Sequence, residues 1–281
     1  MPDVEPVNPS DAIVHNQQAH DALGERYDSR HPEIFNATEQ ARLREATARA
    51  IGLARRGGRA QVRALDVGCG TGNLTGHLIA AGATVTAADL SARFLAVVRE
   101  RFRSGLDGVQ ALNGRDLRPL ADNTFGLVAA YSVLHHVPDY LSMVREMARV
   151  TAPGGVLMID HERSEEHWTS PANAEFLRES VVWPPRRWWF FLQPSRYWKH
   201  LRPRLQWRRW GNARWMPEGD LHIWPDDHIE WALVDAALAG AGVRPLVVRD
   251  YLLFEPRYRR DAWERWRTRV TDCRMWLGRK A

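Results

Sequence analysis

The run Leu65-Asp66-Val67-Gly68-Cys69-Gly70-Thr71-Gly72 constrains this chain more than any other stretch. Ala64–Val67 reads as a short buried strand, and three glycines at spacing two follow it directly. Glycine is needed where the backbone turns sharply or must lie against a ligand with no Cβ in the way. A helical pattern begins at Asn73-Leu74-Thr75, so the turn aims backbone N–H groups at whatever sits over the sheet edge. Asn73 stands where a dinucleotide fingerprint needs its third glycine, and no lysine follows as a phosphate-binding P-loop requires. Asp66 would repel a pyrophosphate and suits a ligand with a free ammonium group. Asp89, seventeen residues after Gly72, closes a second strand, where a carboxylate accepts hydrogen bonds from ribose hydroxyls.

With these residues the chain resembles the class I S-adenosylmethionine-dependent methyltransferases, and within them the type-11 small-molecule group. Four further features carry the likeness: Asp89-Leu90-Ser91, Asp116-Leu117, Val133-Leu134-His135-His136-Val137, and Ala152-Pro153-Gly154-Gly155 leading into strand five. They span roughly residues 60–162 in the family's order. The resemblance implies a Rossmann-like, doubly wound seven-stranded sheet with an N-terminal helical cap and a substrate-side insert after strand five. It implies S-adenosylmethionine as co-substrate, held by Asp66, Gly68, Cys69, Gly70, Thr71, Gly72, Asp89 and Leu90. Asp116 and Leu117 would take the adenine, and Tyr131 and Ser132 would lie beside the methionine moiety. Gly126 departs from the family, which usually has Asp there.

The chain divides into a helical cap (1–57), a cofactor-binding core (58–162), an insert (163–226), the end of the core (227–255) and a C-terminal segment (256–281). Strand six is expected over Val243–Phe254, bent into strand seven around Asp250. Asp227 and Glu230 read as a capping box for a helix over Ile229–Ala239. In the cap, Tyr27, His31 and Asn36 are polar residues facing the expected mouth of the site.

Charge and tryptophan are unevenly placed. The formal net charge is +5, yet residues 178–215 hold ten Lys/Arg against one Glu, and residues 256–281 nine against three acids. All thirteen tryptophans follow residue 160. In the C-terminal segment Trp263, Trp266, Val270, Cys273 and Trp276 recur at spacings of three or four with arginines between, which predicts a basic amphipathic helix. Such a helix either packs on the domain or lies at an anionic membrane surface, tryptophan at headgroup depth and arginine on phosphate. Two cysteines and no apolar run of eighteen residues leave a cytoplasmic enzyme, soluble or peripheral at a membrane's inner face, as the expectation.

Three acceptor readings follow: a lipid-linked, prenyl-phosphate-linked or glycan acceptor at a membrane surface, methylated at oxygen; a soluble natural product or quinone-type ring; or, from another class, nucleic acid bound by arginine and tryptophan. Nucleic acid is disfavoured because no recognised RNA-binding module is attached. Hydroxyl acceptors need a proton taken from them, and the candidate bases rank His161, then His136, then Tyr27. His222, Asp226, Asp227 and His228 lack paired metal-ligand spacing, so no metal is expected.

Overall fold

The computed structural model describes residues 8–58, 60–182, 216 and 218–281. The densest part of the tryptophan- and arginine-rich insert, 183–215, lies outside the described residues.

Seven strands form one sheet: β1 (Val62–Val67), β2 (Ala83–Asp89), β3 (Leu106–Ala111), β4 (Phe125–Tyr131), β5 (Thr151–Arg163), β6 (Val243–Tyr251) and β7 (Cys273–Lys280), in the order β3-β2-β1-β4-β5-β7-β6. The first five run parallel, and β7 is antiparallel to both neighbours. Helices α3 (Ala37–Arg56) and α4 (Asn73–Ala80) cover one face. Helix α6 (Tyr140–Val150) and helix α9 (Trp231–Gly240) cover the other. Successive residues feed opposite cores: Leu65 and Val128 point to one, Ala64, Leu127 and Ala129 to the other. Near-continuous apolar runs in β1 and β4 follow from burial on both faces. The cap splits in function. Helix α3 is a core helix, whereas α1 (Pro9–Leu23) and the single turn α2 (Tyr27–Arg30) lie over the carboxyl ends of the strands.

Asn36 begins α3 by accepting from the N–H groups of Thr38 and Glu39, and it donates to Phe254 O across the fold. Ser91 caps helix α5 (Ala92–Arg101) through Phe94 N–H, as its position predicts. Asp227 is not a capping residue. It pairs with His222 in a two-residue hairpin, and α9 starts at Trp231 after Glu230.

The C-terminal segment is a correction. It is not one amphipathic helix but a short helix α10 (Arg260–Trp266) followed by β7, inserted between β5 and β6. The three-and-four spacing of its tryptophans was coincidental. Cys273, Met275, Trp276 and Leu277 are buried because a strand with two paired neighbours has apolar contacts on both faces. Residues 256–281 are therefore part of the core, and β6 ends at Tyr251 without bending into a seventh strand. Trp263 and Trp276 are buried with their indole N–H groups on Leu252 O and Asp235 Oδ1.

Under the sheet's carboxyl edge lies a buried ion network. The Arg42 guanidinium donates to both Glu39 oxygens and, at 3.0 Å, to Asp160 Oδ2. Tyr131 hydroxyl donates to Glu39 and Tyr251 hydroxyl to Asp160. Glu39 is 2% and Asp160 0% exposed, so removing the cation strands two carboxylates in apolar surroundings. Arg42→Met is expected to lower unfolding free energy by about 3–5 kcal/mol in urea titrations. A loss below about 1 kcal/mol, the range of a surface pair, would contradict this account.

Candidate active site

The glycine turn is built as the sequence predicts. Gly68, Gly70 and Gly72 all have positive φ. At Gly68 a Cβ would fall 2.6 Å from Val133, so that position is closed to any side chain. At Gly70 a Cβ would meet nothing within 4 Å, which leaves a cradle facing the cleft. Gly70 N–H donates to Asp89 Oδ2 at 2.8 Å and Ser91 N–H to Oδ1 at 2.8 Å, so turn and acid are fixed to each other. Burial pushes Asp89 up to about 6 despite those N–H donors.

Two adjoining hollows flank the turn. One is lined by Gly68, Gly70, Asp89, Leu90, Phe94, Leu112 and Gly114, roofed by Ile13, Asn16 and His20 of α1. The other is lined by Asp66, Cys69, Thr71, Leu74 and Tyr131. Tyr27 and Ser132 line both. Asp66 Oδ2 accepts from the Thr75 hydroxyl at 2.6 Å. The Thr71 hydroxyl is turned to Asp28 Oδ1, and Cys69 packs among Ala87, Leu95 and Val98. Gly72 lies against Phe102, away from the hollows.

Asp116 and Leu117 are not brought to this cleft. Asp116 turns outward to Asn113 and Arg118, and Leu117 is core, its N–H on Glu146 Oε2 at 3.0 Å. The short loop after β3 brings Leu112 and Gly114 to the wall instead. From α1 the wall takes one apolar residue, Ile13, and two polar ones, Asn16 and His20.

Beyond Tyr27 and Ser132 opens a larger cavity of about 460 Å³. It is lined by seven histidines, among them His20, His31, His135, His136 and His161, and by acids that include Glu33, Glu162, Glu218 and Asp220. Trp168, from the short helix after β5, closes one side.

His161 reaches this cavity through a β-bulge. Asp160 pairs with Met275 and Glu162 with Arg274, leaving His161 unpaired at φ +65°. Ser132, at the end of β4, also has a left-handed backbone, φ +59°. Two non-glycine residues in that region, side by side at a cavity mouth, mark strain held by the surrounding structure. His161 stacks on Tyr131 with ring centres 4.7 Å apart, its Nδ1 lies 3.1 Å from Ser132 Oγ, and its buried Nε2 has no hydrogen-bond partner. Burial, reinforced by Arg42 and Arg163, holds its pKa well below the ordinary histidine value. His136 is held low by burial and by the neighbouring His135 and His20. Both imidazoles are neutral near pH 7 and weaker bases than an ordinary histidine. Burial, with Glu218 and Glu33 nearby, raises the Tyr27 phenol above its ordinary value, which keeps it protonated near pH 7.

Residues 65–159 match the methyltransferase-domain family. Over 101 residues the chain is 42% identical to methyltransferase GfsG of Streptomyces halstedii, covering 34% of this chain and 36% of that protein. Over 106 residues it is 41% identical to demethylmenaquinone methyltransferase of Staphylococcus aureus, covering 36% and 44%. The chain thus spans less than half the length of these relatives. Across nearly its whole length it resembles in fold the Burkholderia thailandensis 1,6-didemethyltoxoflavin-N1-methyltransferase, with TM-score 0.56, 16% identity, and 99% and 93% of the two chains covered. The open cradle at Gly70, the buried Asp89 and the acid at Asp66 fit S-adenosylmethionine, the co-substrate of this family. With its glycine turn, its strand order and its matched core, the chain carries a methyltransferase domain of the class I, S-adenosylmethionine-dependent kind.

Proposed function

We propose that the chain methylates a hydroxyl oxygen on a small, polar, ring-type acceptor bound in the histidine-lined cavity. The observation that carries this is the shared wall: Tyr27, Ser132, His20 and His136 line both the cofactor cleft and the 460 Å³ cavity. Ligand and acceptor would meet there without a solvent gap, and the volume suits a small molecule. The relatives named for demethylmenaquinone and for 1,6-didemethyltoxoflavin support a ring acceptor.

S-adenosylmethionine supplies a methyl group made electrophilic by its sulfonium. The chain's part is to hold the reactants in line and to take up the proton. Asp89 is suited to the ribose hydroxyls and Asp66 to the ammonium group. His161 Nε2, buried and unpartnered at the cavity wall, is the atom placed to receive the acceptor's proton. Transfer breaks the sulfur–methyl bond, forms the oxygen–methyl bond and leaves the proton on His161.

The membrane-surface reading loses one of its two supports, since Trp263 and Trp276 are core residues. Its other support, the run 183–215, is outside the described residues. Among the described residues no helix is long and apolar enough to cross a membrane. The acids that line the cavity also disfavour a phosphate-bearing acceptor.

Three outcomes are expected. Labelled methyl from S-adenosylmethionine, incubated with host extract, should appear in low-molecular-mass aqueous material. Label confined to the lipid phase, or to nucleic acid, would sink the reading. Asp89→Ala should weaken cofactor binding by about tenfold or more in calorimetry, because the lost carboxylate leaves ribose hydroxyls and Gly70 N–H unpaired. His161→Asn, whose side chain tolerates the left-handed backbone, should lower kcat by roughly 100-fold or more with cofactor affinity unchanged. Equal kcat would remove His161 from the proton path.

Asp66 gives a pH signature. Burial raises its pKa to about 7, so the folded, cofactor-free protein holds this proton over a range in which the unfolded chain, with an ordinary value of 3.8, has lost it. Its contribution to stability therefore falls as pH rises from about 4 through 7. Buried histidines act in the opposite sense, so the test is the difference between wild type and Asp66→Asn. Urea midpoints should shift in the variant's favour between pH 5 and pH 8; a constant difference would show that Asp66 ionises normally.

A further inference from the structure

The wall between cofactor cleft and acceptor cavity brings two adjacent histidines together with an aspartate far along the chain. His135 Nε2, His136 Nδ1 and a carboxylate oxygen of Asp220 lie within 4.8 Å of one another. His136 Nδ1 is 3.2 Å and His135 Nε2 4.0 Å from Asp220 Oδ1. Four-coordinate zinc with bonds of about 2.0–2.1 Å separates its donors by roughly 3.3 Å, so the cluster needs only a small contraction.

The surroundings hold each donor in place. His135 Nδ1 pairs with Glu162 Oε2 at 2.8 Å, which leaves Nε2 facing Asp220. Glu162 Oε1 accepts from the N–H groups of Val133 and Leu134 at 2.8 and 2.7 Å, so that carboxylate is itself fixed. This is the carboxylate–histidine pairing that orients metal-bound imidazoles. Asp220 is brought in by the N–H groups of Leu221 and His222, both donating to His135 O at 2.9 and 3.1 Å. Gly219 adopts φ +80°, and a Cβ there would fall 2.9 Å from Asn16. His222 is committed elsewhere, to Asp227 and to Val137 O. His136 Nδ1 is buried and, although close to Asp220, makes no hydrogen bond. The expectation of no metal rested on local spacing, and local spacing does not see a turn at 135–136 meeting a loop at 220.

We propose that His135, His136 and Asp220 bind a divalent cation of the borderline class, such as zinc or cobalt, with open positions toward the acceptor cavity. Two imidazoles and one carboxylate suit such ions better than magnesium or calcium, which prefer oxygen alone. A cation there would bind the acceptor's oxygen and lower its pKa, easing proton transfer to His161. That role rests on the methyl-transfer reading; the binding of the cation does not.

The test uses the full chain, untagged and stripped of metal with a chelator. Cobalt is titrated while its visible absorption is followed, zinc binding is measured by calorimetry, and cofactor binding is measured on the same metal-free sample. One equivalent is expected to bind with Kd of about 10 µM or tighter. Asp220→Ala and His136→Ala should each weaken it by about tenfold or more, with circular dichroism unchanged. His77→Ala, on α4 with its Nε2 against Gln40 of α3, should bind as wild type. Magnesium should not compete. Absence of saturable cobalt binding, or equal affinity in Asp220→Ala and wild type, would overturn the site. If cofactor still binds in that case, only the cation proposal fails; loss of cofactor binding would instead count against the methyltransferase reading.

Discussion

The carboxyl edge of this sheet depends on one buried cation. Arg42, on α3, joins a carboxylate of its own helix to Asp160 at the end of β5, and its guanidinium lies 4.0 Å over the Tyr251 ring. Burial is the largest influence raising the pKa of Glu39 and Asp160, and Arg42 is the largest opposing it. The same contacts secure the strand from which His161 bulges and the tyrosine on which His161 stacks. Helix, strands β4, β5 and β6, and the presentation of one imidazole are thus a single electrostatic unit. A hydrophobic replacement of the whole network need not cost stability. Its specific consequence is positional: Asp160 Oδ1 also accepts from His161 N–H at 2.8 Å, which supports the left-handed backbone there.

That strain and the glycine turn solve one geometric problem by different means. Where ligand must approach the backbone, at Gly70, the chain removes the side chain. Where a side chain must be turned into the cavity against the normal strand alternation, at His161, the chain keeps it and accepts an unfavourable φ. Ser132 does the same on the neighbouring strand. Both residues line the larger cavity, and Ser132 lines the cofactor cleft as well.

The sequence was most readable where function and local geometry coincide. The strand, three glycines and helix at 64–79 needed no tertiary information, and Ser91 declared its cap by being placed just before an apolar helical run. Reading failed where partners are distant. Asp116 matched a motif position, but the shorter loop after β3 turned it outward, a displacement no local pattern records. The tryptophans of 263–276 misled for another reason. Indole is large, apolar and carries one N–H, so the same residue serves a membrane interface or a core, provided that N–H finds an acceptor. Leu252 O and Asp235 supply those acceptors, and both belong to elements paired only in the folded sheet.

The acceptor cavity shows most clearly what topology adds. Its histidines come from α1, from the residue after α2, from the turn after β4, from the bulge in β5, from the short helix after β5 and from the loop before α9, segments scattered along the chain. Brought together, they change one another. His20 falls to about 4 because burial and the surrounding His31, His135 and His15 all disfavour another positive charge. His135 goes the other way: burial would lower it, but the charge and hydrogen bond of Glu162 outweigh that and raise it. A set of like side chains is thereby divided into imidazoles held low, such as His20, His136 and His161, and carboxylate-paired ones, such as His31 and His135. An alkyl chain laid against such a lining would leave many polar groups desolvated and unpaired.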